Sequence, residues 1–189
     1  MESGTVAVSR AALKVEYPAR FQLIAAMNPC PCGYLGEPSG NCRCAPPQIA
    51  RYRARISGPL LDRIDLRIAV PAVSSEELLD EPPDASRFTS AQAAAQVYAA
   101  RELQARRAGR LNAELAGPHL QQFCQLERQA RRLLAQARAK LGLSARGVHR
   151  VLRVARTIAD LQADLQAGEA PVLGAAHLAE ALQLRRAIS

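Results

Sequence analysis

The sequence lacks three features that would each assign it to a class of protein. It has no uncharged apolar run of the roughly 18 residues that a membrane span needs, and its N-terminus, MESGTVAVSR, lacks the apolar core of a signal peptide. It also has no G-x-x-x-x-G-K-[ST] phosphate loop, and no apolar strand ends in the paired acids that hold Mg²⁺. We therefore expect a cytoplasmic protein that carries no complete nucleotide site by itself.

Lysine is also scarce in this chain. Lys14 and Lys140 are the only lysines among 25 basic residues, which face 17 acidic ones and leave a formal net charge of +8. Such an arginine-rich balance is typical of proteins from GC-rich genomes, and it is equally compatible with an anionic partner. The charge therefore permits a nucleic-acid partner but does not demand one.

Composition divides the 189 residues into two regions. Residues 1–73 contain short apolar runs with β-branched residues (TVAV, FQLIAAM and LRIAV) between Gly and Pro, a pattern typical of buried strands and their turns. Residues 74–88, SSEELLDEPPDASRF, form a charged linker in which Ser74 and Glu77 fit a capping box. The sequence thus predicts an α/β region, a linker and then an all-α region over residues 89–189.

The all-α region is predicted to be a bundle of about four helices, because its apolar residues recur at intervals of three and four. Thr89 and Gln92 fit a capping box at the start of the first long helix. One long helix is predicted from Pro118 to near Gly142, and two more in SARGVHRVLRVARTIADLQ and GAAHLAEALQLRRA. Cys124 lies among apolar residues and is predicted to be a small buried hydrophobe.

The other four cysteines lie within fifteen positions as two Cys-x-Cys pairs: Cys30, Cys32, Cys42 and Cys44. In the cytoplasm such pairs are more often metal ligands or redox centres than disulfides. The Gly- and Pro-rich connector can reverse the chain, and zinc accepts four sulfurs, although Cys-x-Cys is tighter than the usual ligand spacing. We predict a structural zinc site with a closed coordination shell, with free or redox-active thiols as the alternative.

Two polar residues near the cysteines lie in sequence motifs that indicate a function. Asn28 ends the apolar segment FQLIAAMN, and Arg63 lies in SGPLLDRIDLRIAV. With these motifs the chain resembles the C-terminal half of the magnesium-chelatase-like AAA+ ATPases of the bacterial ComM/YifB type. The resemblance runs from ESGTVAVSRA through YPARFQLIAAMNPCPCG, CRCAPPQIARYRARISGPLLDRIDL, LNAEL and LSARGVHRVLRVARTIADL to HLAEALQLR.

The resemblance implies the end of an α/β nucleotide-binding core followed by a helical lid. The whole protein would be a hexameric ring that binds ATP and Mg²⁺ and moves on branched or single-stranded DNA during recombination and natural transformation. Because the phosphate loop is missing, we expect this chain to be part of a longer protein and not to hydrolyse ATP alone.

The resemblance also implies roles for single residues. Asn28 corresponds to sensor 1, whose amide orients the attacking water near the γ-phosphate. Arg63 corresponds to the arginine finger, which stabilises charge on the transferring phosphoryl group of the neighbouring subunit. Arg146 in LSARG corresponds to sensor 2, and Arg150 or Arg153 could take that role instead.

The segment TVAVSRAALKVEYPARF resembles the hairpin that places a basic residue in the central pore of related ring helicases. Arg10 is the matching position, and Lys14 is close to it. A basic hairpin tip binds DNA phosphates without reading sequence. An ordinary edge hairpin with solvated charges is the alternative.

Two other functions stay open at this point. One is the ATPase subunit of a magnesium chelatase, which inserts metal into a tetrapyrrole, although a four-cysteine insertion is not typical of that subunit. The other is a free-standing, zinc-stabilised nucleic-acid-binding module without ATPase activity. An in-frame phosphate loop upstream of Met1 would indicate the motor and not the module.

Overall fold

A computed structural model describes residues 4–10, 13–37, 40–71, 73, 88–163 and 172–186. Apart from Phe88, the predicted linker lies outside the described residues, and so do both members of its capping box, Ser74 and Glu77. The chain divides into two compact units, Met1–Arg63 and Ile64–Ser189.

The described part of the first unit contains one hairpin and two short helices. Strands β1 (Thr5–Arg10) and β2 (Leu13–Pro18) pair in an antiparallel ladder. Helix α1 spans Pro46–Arg53, and helix α2 spans Gly58–Arg63.

The hairpin has one apolar and one polar face. Arg10 lies opposite Leu13, and Ser9 lies opposite Lys14. Because side chains alternate along a strand, Arg10 and Lys14 project from opposite faces, and both are exposed. The face of Arg10 also carries Val6, Val8, Leu13, Val15 and Tyr17, whereas the face of Lys14 carries Thr5, Ala7, Ser9, Glu16 and Pro18.

Two other predicted strands are absent from the described residues. Residues 21–27 and 66–70 have no regular secondary structure, and Phe21 (62% exposed), Ile24 (86%) and Val70 (86%) face solvent. A strand needs a neighbour to complete its hydrogen-bond ladder, and within the described residues the only strands that pair in a sheet are β1 and β2. The strand predictions for FQLIAAM and LRIAV are therefore wrong, and the described α/β region consists of the hairpin and two helices.

The described part of the second unit is helical. Its α-helices are α3 (Ser90–Ala108), α4 (Gly117–Phe123), α5 (Arg128–Leu141), α6 (Ala145–Gln162) and α7 (Ala175–Arg186), and a 3₁₀ turn spans Asn112–Glu114. These are five α-helices in the part of the unit that is described, where the sequence predicted about four.

The additional helix arises from a break at Cys124. The chain leaves the helical conformation there, with φ −112° and ψ 46°. Leu173 then donates its backbone N–H to the carbonyl of Gln125 (2.9 Å) and accepts from the N–H of Glu127 (3.1 Å). The single long helix predicted after Pro118 is therefore wrong, because the backbone groups of this segment bond to a distant part of the chain.

Helix ends follow the sequence signals more closely. The capping box is confirmed: Thr89 Oγ1 accepts from Gln92 N (3.2 Å), and Gln92 Oε1 accepts from Thr89 N (2.8 Å). Ser144 caps α6 by accepting from Gly147 N at 3.0 Å. Gly142 ends α5 with φ 61°, a left-handed conformation that favours glycine.

The core of the second unit forms around α6. This helix buries residues at helical spacing along one face: Gly147, Arg150, Val151, Ala155, Arg156, Ile158, Ala159 and Asp160. Apolar residues of the other segments pack around them, including Leu115, Leu120, Leu173 and Leu178. Cys124 is buried in this core, as predicted. None of the described helices is both long enough and apolar enough to span a bilayer.

Candidate functional site

The four clustered cysteines converge in the first unit. Their Sγ–Sγ distances are 3.3 Å for Cys30–Cys32 and Cys32–Cys44, 3.7 Å for Cys32–Cys42 and 3.8 Å for Cys30–Cys42. All four sulfurs lie within 4.8 Å of one another. Tetrahedral zinc with Zn–S bonds of about 2.3 Å places its sulfurs about 3.8 Å apart. The donor set and its spacing therefore fit a zinc ion.

The backbone of the loop brings the two pairs together. Gly33 donates its N–H to the carbonyl of Cys30 at 3.1 Å, which closes a turn directly after the first pair. Gly33 has φ 87°, a conformation that side-chain-bearing residues rarely adopt. The second pair leads into α1, since Cys44 precedes Ala45, the residue that caps this helix.

The sulfurs share protons when no cation is bound. A hydrogen bond from the backbone N–H of Tyr34 is the largest cause that lowers the pKa of Cys32, to about 6. The thiol of Cys44 donates to that same sulfur, which raises the pKa of Cys44 to about 12. Cys44 therefore keeps its proton at neutral pH, and a divalent cation bound to its sulfur would replace that proton. Four protein sulfurs would leave no open coordination position, so such a metal would have a structural role.

Two of the residues assigned to ATP hydrolysis by resemblance lie in the first unit. Asn28 is exposed and lies against the turn after Cys30, where its Nδ2 is 3.7 Å from the position that a Cβ would take at Gly33. Arg63 is the last residue of α2, and its Nη1 donates to the carbonyl of Pro59 at 2.9 Å.

The three candidates for sensor 2 all lie on α6 but differ in their surroundings. Arg146 is exposed in the first turn. Arg150 is buried, and its Nη1 contacts Asp65 Oδ1 at 2.7 Å. Arg153 donates from Nε to the carbonyl of Leu115 at 2.7 Å.

Sequence reasoning missed a buried charged network in the second unit. Arg107 forms two hydrogen bonds with the carboxylate of Asp160, at 2.7 and 2.8 Å. Arg156 donates from Nε to the same carboxylate at 3.0 Å. Asp160 and Arg156 are each only 2% exposed. An arginine and an aspartate four residues apart on the buried face of α6 were the signal that could have revealed it.

Asn112 completes this network from the 3₁₀ turn. Its side chain accepts from Arg107 at 2.7 Å and donates to Asp160 at 2.7 Å. Its backbone N–H donates to Gln104 of α3 at 2.9 Å. The asparagine of the motif LNAEL therefore joins α3, the 3₁₀ turn and α6 through its hydrogen bonds.

Comparison with known proteins finds two matching family descriptions, one for each part of the chain. Residues 1–78 match the family described as "Magnesium chelatase, subunit ChlI", and residues 87–185 match "Magnesium chelatase, subunit ChlI C-terminal". Competence protein ComM of Haemophilus influenzae is 45% identical over 186 residues, which are 98% of this chain and 34% of the relative. The chain belongs to the magnesium-chelatase-like ComM/YifB family.

Other relatives extend the family. The uncharacterized protein YifB of Escherichia coli is 42% identical over 190 residues, covering 98% of this chain and 35% of YifB. The uncharacterized protein Rv2897c of Mycobacterium tuberculosis is 38% identical over 165 residues, covering 85% of this chain and 32% of that protein. The chain thus spans about a third of the length of these ComM/YifB relatives.

Proposed function

We propose that this chain supplies part of the nucleotide site and the helical lid of a ring-forming AAA+ ATPase that moves on branched or single-stranded DNA. The main support is the 45% identity to a competence protein over 98% of the chain, which includes the motifs around Asn28 and Arg63. Natural transformation requires uptake and recombination of DNA, so a DNA motor fits such a relative. ATP and Mg²⁺ would bind to the full-length protein.

The position of Arg63 suits an arginine finger. It ends the short helix α2, where its guanidinium bonds to a carbonyl of its own helix. Such an exchangeable contact can be replaced by a nucleotide phosphate, which binds a guanidinium more strongly than a neutral carbonyl does. We infer that Arg63 completes the nucleotide site of a neighbouring subunit.

The surroundings of the α6 arginines favour Arg146 as sensor 2. Arg146 is exposed in the first turn of α6, where the free backbone N–H groups also favour an anion. Asn28 would orient the attacking water from the first unit.

The exposed residues Arg10 and Lys14 of the β1–β2 hairpin are the proposed pore contact. Arg10 and Lys14 lie next to the tip on opposite faces, so a DNA strand that passes one face would meet only one of them. Arg10 shares its face with apolar side chains, whereas Lys14 shares its face with polar ones. The two residues should therefore contribute unequally to DNA binding.

The test is a pair of measurements on the full-length protein. In the Arg10→Ala and Lys14→Ala variants we expect slower branch migration with basal ATPase retained, and a larger effect for one residue than for the other. Replacement of Glu16, which lies on the face of Lys14, by Gln is the matched control. Unchanged branch migration in both variants would show that the hairpin is a structural edge.

Metal insertion into a tetrapyrrole is the second candidate, because both matching families are described as magnesium chelatase subunits. Stimulation of the full-length ATPase separates the two functions. A DNA motor should hydrolyse ATP faster with branched or single-stranded DNA. Stimulation by a tetrapyrrole and not by DNA would indicate the chelatase.

A further inference from the structure

An open groove lies between the four-cysteine loop and helix α1. Its lining residues come from both sides: Pro31, Cys32, Cys44, Gln48, Arg51, Tyr52 and Arg55. Neither the resemblance nor the proposed function assigns this groove a role.

The groove lies in a strongly basic part of the chain. Between Glu37 and Asp62 the sequence has no acidic residue, but it has four arginines: Arg43, Arg51, Arg53 and Arg55. This stretch therefore offers anion-binding groups with no acidic neighbour in sequence to neutralise them.

Two of these arginines are available to a ligand. Arg53 donates from Nε to the carbonyl of Pro29 at 3.4 Å and so helps to fold the loop. Arg51 and Arg55 are exposed, and within the described residues their side chains form no hydrogen bond or ion pair. Both line the groove, Arg51 from the last turn of α1 and Arg55 from the turn that follows the helix.

Tyr52 supplies an aromatic surface in the same groove. Its ring is half-buried and lines the groove together with Arg51 and Arg55. Proteins that bind single strands without reading sequence combine basic side chains, which follow the backbone, with aromatic rings on which bases stack. The groove contains both kinds of group.

The cysteine cluster gives this surface a fixed position. Cys32 and Cys44 line the groove, and Cys44 is separated from α1 only by the capping residue Ala45. A metal held by the four sulfurs would therefore fix the start of α1 against the loop.

We propose that this groove binds single-stranded DNA, with phosphates on Arg51 and Arg55 and a base against Tyr52. The proposal rests on the proposed DNA-motor function and adds a contact apart from the hairpin tip. A metal bound to the four sulfurs would hold the loop and the start of α1 in place, and so position the DNA-binding residues.

The test measures binding of a fluorescent oligothymidylate to the full-length protein over a range of salt concentrations. We expect Arg51→Gln/Arg55→Gln to weaken binding by about tenfold or more at low salt. The slope of log K against log salt should fall by roughly 1.4, since each phosphate contact on a single strand contributes about 0.7. Tyr52→Ala should weaken binding with little change in slope, and Tyr52→Phe should bind as the wild type does.

The matched control is Arg131→Gln/Arg132→Gln, which removes the same charge from exposed arginines of α5. An equal loss in the control would mean that only net charge matters, and the groove assignment would then be wrong. Zinc content and binding of a fluorescent ATP analogue should stay unchanged in the groove variants. Loss of ATP binding with intact DNA binding would show that the arginines serve the nucleotide.

The outcomes also separate this proposal from the one on which it rests. If the wild type binds the oligonucleotide and the double variant binds it equally well, the groove proposal fails and the DNA motor stands. If the wild type binds neither single-stranded nor branched DNA, both proposals fail.

Discussion

Asp65 and Arg150 join the start of the second unit to helix α6, with 2.7 Å between Oδ1 and Nη1. The arginine side chain is 6% exposed and the aspartate side chain 52%. Two residues further on, Arg67 donates its backbone N–H to the carbonyl of Leu184 in α7 at 2.7 Å. These two contacts hold residues 65–67 against helices α6 and α7 of the second unit.

Removal of Asp65 should destabilise the second unit, because it takes a charged partner away from a buried guanidinium. Since Asp65 is half-exposed and water shares the contact, we expect Asp65→Ala to lower the free energy of unfolding of the 189-residue chain by about 1–2 kcal/mol. Urea denaturation followed by circular dichroism measures this change. The exposed Glu180→Ala in α7 should change it by less than about 0.5 kcal/mol.

Exchange of the two charges tests the pair itself. Asp65→Arg combined with Arg150→Asp should be more stable than the sum of the two single changes predicts. Strictly additive losses would show that the contact contributes nothing to stability.

Zinc content is the second prediction. The purified chain should contain about one equivalent of zinc, and replacement of Cys32 by Ser should abolish it while the helical signal of the second unit persists. Elemental analysis and circular dichroism provide the two readouts, and Cys124→Ser is the control that should keep its zinc. Protein that contains no metal and has four freely titrating thiols in the loop would contradict the assignment.

The buried network gives the third prediction. Asp160→Asn removes the charge that two arginines share, so it should destabilise the chain by about 3–5 kcal/mol. Glu102→Gln, an exposed change in α3, should be close to neutral. In the double variant with Arg107→Gln, the loss should be smaller than the sum of the single losses. A loss below about 1 kcal/mol for Asp160→Asn would mean that water replaces the carboxylate.

Burial gives Cys124 a distinct pH response. Desolvation raises its pKa from 9.0 to about 11, so at pH 8 its thiolate is about a hundredfold scarcer in the folded chain than in the unfolded one. Alkylation of Cys124 by iodoacetamide should be slower by at least that factor in buffer than in denaturant, as mass spectrometry can measure. Because the folded pKa is the higher one, this thiol's contribution to stability is fully present below pH 9 and is lost as the pH rises toward 11. Equal labelling rates in buffer and denaturant would contradict its burial.

The last prediction concerns catalysis by the full-length protein. Arg63→Ala should leave ATP affinity nearly intact and reduce turnover by about a thousandfold or more, because a finger acts in the transition state. Arg20→Ala, an exposed change in the same unit, provides the control. Mixed rings of Arg63→Ala and a phosphate-loop variant should regain part of the activity, since each would supply the half-site that the other lacks. Normal turnover by the Arg63→Ala ring would show that Arg63 is not the arginine finger.

The sequence predicted features that depend on local chemistry. The Thr89–Gln92 capping box, the end of α5 at Gly142 and the four-cysteine cluster each rely on residues that are close in the chain. Spacing alone is enough to predict such features, because the partners are fixed by a few backbone angles.

The predictions were wrong where the local structure depends on residues that are distant in the chain. Residues 21–27 have the composition of a strand, but composition does not supply the neighbouring strand that a ladder requires. The break after Phe123 depends on Leu173, some fifty residues away. The contacts of Asp65 with Arg150 and of Arg107 with Asp160 could not be predicted from spacing, because each joins residues that only the folded chain brings together.

The separation of Arg107 and Asp160 along the chain also affects the order in which the second unit folds. The two residues are 53 positions apart, so α3 can form as a helix long before its charged partner exists on the ribosome. At about 5–20 residues per second, Arg107 is synthesised several seconds before Asp160, whose carboxylate it binds. The ion pair that docks α3 on α6 can therefore form only after Asp160 has been synthesised, which ties this step of folding to the last third of the second unit.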